Sequence, residues 1–270
     1  MRKLLFLNLL FFSCLLAFAS CGTDDEWDVP VPQIQDPLVA FSDSEALPII
    51  AHRGCWSGDS VPQNSLAAFR KALDLNIYGT EFDVRQTKDG KLVINHDATY
   101  HGLSISSNTH SYLCQYTLTN DEPLPLLEDF INTYLAIDTK VLMVVELKSC
   151  KINDVVNMLE RYQVMPHVLF ISFSKNYCNQ LVKKGYGPIT YYLGGNMTPE
   201  EVMKAGYAGI DYSHTTFMSH PEWINEAKTL GLKVGVWTVN MQTDIQTYLA
   251  DSVIVTTDKP IITNGQAKES

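Results

Sequence analysis

Between Leu47 and Thr257, short apolar runs alternate with stretches whose apolar residues recur every three or four positions. LPIIAH, IYGTEFDV, KLVINH, VLMVVEL, HVLFIS, GPITYYL, YAGIDYS, LKVGVWTV and SVIVTT are β-rich, and Gly, Pro, Asn or Asp bound most of them, which marks them as strands. NSLAAFRKALDL, LLEDFINTYLA, INDVVNMLERY, KNYCNQLVKKG, TPEEVMKAG, HPEWINEAKTLG and NMQTDIQTYLA carry the helical period. Apolar strands separated by helices predict a parallel sheet covered by helices. About 220 residues holding roughly eight such units suit a single-domain TIM-type (β/α)8 barrel better than a six-stranded doubly wound sheet. KLVINH is an extra strand, and the Asp89-Gly90 pair before it favours a tight turn. Asn196-Met197-Thr198 has the form of a glycosylation sequon, but Thr198, Pro199 and Glu201 read as a capping box with proline at the first helical position.

The N-terminus follows another pattern. Arg2 and Lys3 precede LLFLNLLFFSCLLAFAS and then Cys21, giving a positive segment, an apolar segment and small residues before a cysteine. This resembles the leader and lipobox of a bacterial lipoprotein, so residues 1–20 are expected to be removed and Cys21 to carry lipid. Phe18 is bulkier than a lipobox usually carries, and Cys14 is a weaker cleavage position; a secretory signal without lipid, or a membrane span, are the alternatives. Residues 21–45 are acidic and proline-rich and read as a tether, or as a terminus without a role. The barrel is expected over 46–264, with a polar tail at 265–270. An exported protein of the cell envelope follows, periplasmic or at the cell surface, touching the membrane through its lipid anchor only.

Composition narrows the choice of function. With 46% apolar and 10% aromatic residues among 270, the chain can bury one sizeable core and is neither disordered nor a polytopic membrane protein. Loss of Arg2 and Lys3 with the leader would take the formal charge from −10 to −12, which argues against a nucleic-acid partner. Cys55, Cys114, Cys150 and Cys178 show neither zinc spacing nor a dense disulfide framework, and read as buried free thiols.

The charged residues inside the apolar runs point to a site. In YGTEFDVRQT, alternation puts Tyr78, Thr80, Phe82 and Val84 on one face, toward the helices, and Gly79, Glu81 and Asp83 on the other. Two carboxylates on a buried face repel unless one is protonated, a cation lies between them, or backbone and arginine groups satisfy them. In VLMVVELKSC, Leu142, Val144, Glu146 and Lys148 share a face, so a second strand ends in an inward acid and base. Glu81, Asp83 and Glu146 together offer the hard oxygen donors that Ca²⁺ or Mg²⁺ requires. They fall at strand C-termini, where barrel enzymes keep their chemistry. His52 and Arg53 end the first strand; both can approach one site only if the strand stops there, and Gly54 permits that turn. His96 ends LVINHD, so two histidines flank the acids, and one can accept a proton while the other donates one.

AHRG, VPQNSLAAFRKAL, GTEFDVRQTKDGKLVINHD, VVELK and GLKVGVWTVN resemble, in that order, the glycerophosphodiester phosphodiesterase family, from Ile49 to about Pro260. The resemblance implies a TIM barrel that hydrolyses glycerophosphodiesters, its small-molecule substrates, to sn-glycerol 3-phosphate and an alcohol with a divalent cation. By the same resemblance Glu81, Asp83 and Glu146 are metal ligands, His52 and His96 the acid and base, and Arg53 and Lys148 the phosphate-binding cations. Trp237, in the WTVN block, either contacts the substrate or packs in the barrel core. The implied mechanism is attack by the substrate's own 2-hydroxyl, followed by water opening a cyclic phosphate. Where the family pattern reads PENT this chain has PQNS, so Gln63 removes a carboxylate and Ser65 replaces a threonine, with activity expected to survive. Two other functions compete: a phospholipase-like phosphodiesterase acting on lipid head groups, and a non-catalytic surface protein that binds phosphorylated ligands.

Overall fold

The computed structural model describes residues 46–261. The leader, Cys21, the tether and the polar tail therefore lie outside the described residues. Among the described residues eleven strands form: β1 Leu47–Ala51, β2 Ile77–Gln86, β3 Leu92–Ile94, β4 Thr99–Tyr100, β5 Leu103–Ser104, β6 Leu142–Ser149, β7 Val168–Ser172, β8 Thr190–Tyr192, β9 Gly209–Ser213, β10 Lys233–Trp237 and β11 Ile254–Thr257. Eight of them pair in parallel in the order β1-β11-β10-β9-β8-β7-β6-β2, and β1 pairs with β2 to close the ring. The expected (β/α)8 barrel is what forms. β3 joins antiparallel to β2 across the Asp89-Gly90 turn, where Gly90 adopts φ 81°.

Each of the seven sequence-predicted helices is present, within a few residues of its periodic stretch. Ser65 caps the helix Leu66–Leu73 by accepting a hydrogen bond from the Ala68 N–H, so serine performs the capping that threonine would. Thr198 and Glu201 form the expected capping box. Two further helices, His110–Leu113 and His214–Ser219, are too short to impose a period on the sequence. The first belongs to a satellite beside β3, where Val93, Tyr100, Ile105, Leu113 and Leu124 make a small core of their own.

Two apolar layers result. Ile50, Leu142, Val144, Leu169, Ile171, Tyr191, Leu193 and Ile254, all from strands or their ends, fill the barrel interior. Alternate residues of the same strands meet the helices in a larger outer core. Phe82 and Val84 lie in that outer layer, as alternation predicts, whereas Tyr78 belongs to the inner cluster. At the same level the pairing of β1 with β2 is irregular: Leu47 pairs with Ile77 but Ile50 with Gly79, so three residues of β1 span two of β2. The four cysteines are free, but only Cys55 and Cys178 are fully buried, since Cys114 and Cys150 sit at the edges of their layers.

Phe82, wholly buried, meets Phe69 and Phe130 at centroid separations of 5.6 and 4.9 Å and ties the strand carrying the acids to the helices Leu66–Leu73 and Leu127–Leu135. Phe82→Ala should destabilise the fold by about 3–5 kcal/mol, read from the urea midpoint at unchanged m-value. A shift under about 1 kcal/mol would show that this cluster does not hold the barrel.

Candidate active site

The site stands at the C-terminal ends of the strands. The β2–β6 register sets Asp83 beside Glu146, both facing inward, with Glu81 one pleat earlier. The three are almost wholly inaccessible to solvent, and one carboxylate oxygen from each lies within 4.8 Å of the others. The expected acidic cluster is thus assembled.

Its surroundings compensate that charge only in part. The Lys148 ammonium lies 2.7 Å from Glu146 Oε1 and 3.3 Å from Asp83 Oδ1, and Arg53 Nε lies 3.6 Å from Asp83 Oδ2. The Arg53 backbone N–H donates to Glu81 Oε2 at 2.9 Å, while Glu81 Oε1 is buried and has no hydrogen-bond partner among the described residues. Burial first, then the Asp83 and Glu146 charges, hold the Glu81 carboxyl well above its ordinary range. Glu146 is pushed up to about 7 by burial and then by Asp83, with Lys148 opposing. Burial works against the Lys148 charge, but Glu146 and Asp83 outweigh it and keep the ammonium above its ordinary value. Three hard oxygen donors gathered in this way fit a hard divalent ion.

The turn after β1 explains how adjacent residues reach one site. Arg53 takes φ 57° and Gly54 φ 85°, a left-handed pair that folds the chain back over the barrel mouth. A Cβ on Gly54 would stand 2.7 Å from the Ala68 carbonyl carbon, so the close approach to the helix also requires glycine. Arg53 Nη1 donates to Gln63 Oε1 at 2.6 Å; the amide in place of a carboxylate still steers the guanidinium but adds no charge.

His52 and His96 line the same cleft as Arg53, Glu81, Glu146, Lys148, Phe173, Asp211 and Trp237. His52 Nδ1 lies 2.7 Å from Asp258 Oδ1, and His96 Nδ1 lies 2.8 Å from Asp97 Oδ1. Burial lowers the His96 pKa, with the Asp97 bond opposing. The two Nδ1–carboxylate bonds leave each Nε2 as the nitrogen available to the cleft. Trp237 is a wall of the cleft: its ring packs edge-on against Phe173, and its N–H donates to the Asp211 backbone carbonyl at 2.8 Å.

Four contributors escape a reading of the sequence. Asp258, just past β11, orients His52; Asn240 Nδ2 donates to its other oxygen at 2.7 Å. Burial works to raise the Asp258 carboxyl, yet the bonds from His52 and Asn240 hold it below its ordinary value. Asn64, at φ 58°, donates to Asp83 Oδ2 at 2.8 Å and fixes that carboxylate. Its one signal was its place in the PQNS block. Asp211 is the fourth, a buried acid pushed up to about 8 by burial and then by the Glu146 charge.

The raised carboxyls couple stability to pH. A folded pKa of about 7 for Glu146, against 4.5 when unperturbed, means that the folded state keeps a proton the unfolded chain releases. That contribution is complete below about pH 4.5 and is lost as pH rises toward about 7. In chelator, the melting temperature should therefore fall across this window, and Glu146→Gln should flatten the fall. Mg²⁺ or Ca²⁺ should raise the melting temperature more above the window than below it. Absence of any ion effect in differential scanning fluorimetry would rule out the acidic cluster as an ion site.

The chain matches known proteins over this same region. Residues 52–262 match the model of the glycerophosphoryl diester phosphodiesterase family. A glycerophosphodiester phosphodiesterase from Caldanaerobacter subterraneus is 28% identical over 244 residues, covering 80% of this chain and 96% of that protein. The crystal structure of a glycerophosphodiester phosphodiesterase from Parabacteroides distasonis superposes with a TM-score of 0.75 at 32% identity, over 78% of this chain and 92% of the other. An Oleispira antarctica phosphodiesterase in complex with its product sn-glycerol-3-phosphate shares the fold at a TM-score of 0.69 and 23% identity, over 82% of this chain and 96% of that one. The chain, with its closed parallel barrel and the acids and bases at its mouth, belongs to the glycerophosphoryl diester phosphodiesterase family.

Proposed function

We propose that this enzyme hydrolyses glycerophosphodiesters to sn-glycerol 3-phosphate and an alcohol, using Ca²⁺ or Mg²⁺ held by Glu81, Asp83 and Glu146 and proton transfer by His52 and His96. One observation carries the reading: three buried acids, two cations and two carboxylate-paired histidines converge on one cleft at the barrel mouth. The ion supplies a positive centre for the charge that builds on the phosphoryl oxygens. Arg53 and Lys148 bind the diester anion from the same side, and with an ion among the carboxylates Lys148 no longer has to neutralise them. One histidine takes the proton of the glycerol 2-hydroxyl as that oxygen attacks phosphorus, and the other protonates the departing alcohol. A cyclic phosphate forms, and water then opens it with the histidine roles exchanged. Attack from within the substrate replaces a bimolecular encounter, an effect worth about 7–11 kcal/mol in well-oriented systems. Asp258 and Asp97 keep the imidazoles in the tautomer that exposes Nε2.

Glycerophosphocholine turnover tests this reading. EDTA should abolish it and a hard divalent ion restore it, and His52→Ala and His96→Ala should each lower kcat by about 10²–10⁴-fold. A 1,3-propanediol phosphodiester, which lacks the attacking hydroxyl, should bind but show a greatly reduced kcat. Full activity after thorough chelation refutes the metal, and comparable kcat values for the two diesters refute attack by the 2-hydroxyl.

We also infer export and attachment to an envelope membrane through lipid on Cys21, on the strength of the leader composition. No helix among the described residues is long and apolar enough to cross a membrane. Cys21→Ala should move the protein from the membrane to the soluble fraction; an unmodified protein that is soluble, or that retains residues 1–20, overturns the anchor.

A further inference from the structure

Asp211 puts a carboxyl into the cleft that the acid–base and charge-binding roles above leave unused. The residue is 2% exposed, and its Oδ1 has no hydrogen-bond partner among the described residues. Trp237 engages the Asp211 backbone carbonyl, so the indole does not satisfy the acid. On β10 the paired residue is Gly235, where a Cβ would stand 2.7 Å from Oδ1; the carboxyl lies over bare backbone that glycine keeps clear. Native structures rarely leave a buried polar atom unsatisfied unless a water, an ion or a ligand completes it.

The position identifies the ligand chemistry. In the ring, β10 and β11 separate β9 from β1, and β8 and β7 separate it from β6. Asp211 therefore faces the site from the wall opposite the β2 acids. If the phosphate of a diester meets Arg53 and Lys148, one of its two substituents can extend across the cleft toward β9. Burial favours the neutral acid, which offers one donor and one acceptor, the complement of an alcohol.

We propose that Asp211 recognises the terminal hydroxyl of the substrate's glycerol moiety and so selects glycerophosphodiesters over diesters of simpler diols. This rests on the glycerophosphodiester reading of the cleft. Asp211 is a specificity residue that takes no part in proton transfer to the reacting atoms. Gly235 shares the role by leaving room for the carboxyl.

The test compares glycerophosphocholine with the propane-1,2-diol 1-phosphocholine diester, which keeps the secondary hydroxyl and lacks the terminal one. The wild type should favour the glycerol ester by about 10- to 100-fold in kcat/KM, with much of the difference in KM. Asp211→Leu should lose that factor on glycerophosphocholine and stay within roughly threefold of wild type on the deoxy diester, whose turnover also shows an intact site. Asp211→Asn, which still donates and accepts, should retain most of the preference. Gly235→Ala, which crowds the carboxyl without altering it, should reproduce the selective loss. Equal losses on both diesters, or a preference that survives Asp211→Leu, overturn the assignment. If the wild type turns over both diesters without preference, this inference fails and the family activity stands; if it turns over neither, the glycerophosphodiester reading itself fails.

Discussion

Three carboxylates held together in a buried cleft are the constraint around which the rest of the mouth is arranged. Like charges this close cannot all be ionised in a low-dielectric interior without cations beside them. Lys148, Arg53 and the Arg53 backbone N–H supply part of the compensation, and Glu81 Oε1 has no hydrogen-bond partner among the described residues. The site is therefore electrostatically incomplete by construction. In the reading proposed above, a divalent ion and a phosphodiester anion would be two halves of one charge balance, since an ion would relieve the acids and free the fixed cations to face the anion.

Strand register is what makes that arrangement rigid. Asp83 pairs with Glu146 across β2 and β6, so the separation of the two acids is set by the interstrand spacing and not by loop conformation. The outer layer defends that register through Phe82, which alternates with Glu81 and Asp83 and buries its ring among helix aromatics. One strand thus carries the acids of the cleft on one face and core packing on the other, and a change to either is transmitted to both.

The groups delivered by turns need separate supports. His52 and Arg53 follow a β1 that ends abruptly in left-handed backbone, and each is held by a residue distant in sequence: His52 by Asp258, Arg53 by Gln63 and Asp83. Asn240 in turn accepts from the Asp258 N–H and donates to its carboxylate, linking the loops after β10 and β11. Preorganisation of this kind lets short polar side chains act without reorganising when charge develops.

Much of this was legible in the chain itself. Period-two runs alternating with helical periods gave the barrel, and alternation within β2 and β6 gave the inward direction of Glu81, Asp83, Glu146 and Lys148, because side-chain direction in a strand is a local property of the backbone. Alternation failed at Tyr78, which packs in the inner cluster at the level where β1 pairs irregularly with β2; such an irregularity belongs to two strands at once, and neither sequence alone contains it. The short helices and the satellite core beside β3 gave no period to read. Asp258, Asn240, Asn64 and Asp211 were invisible for a related reason. Each is an ordinary polar residue in its own segment: Asp258 and Asn240 acquire their part when ring closure brings the last strand against the first, Asp211 when β9 is set across the cavity from β2, and Asn64 when the turn after β1 meets Asp83 on β2. Local pattern determined which way the chain's side chains point; closure of the barrel decided which of them meet.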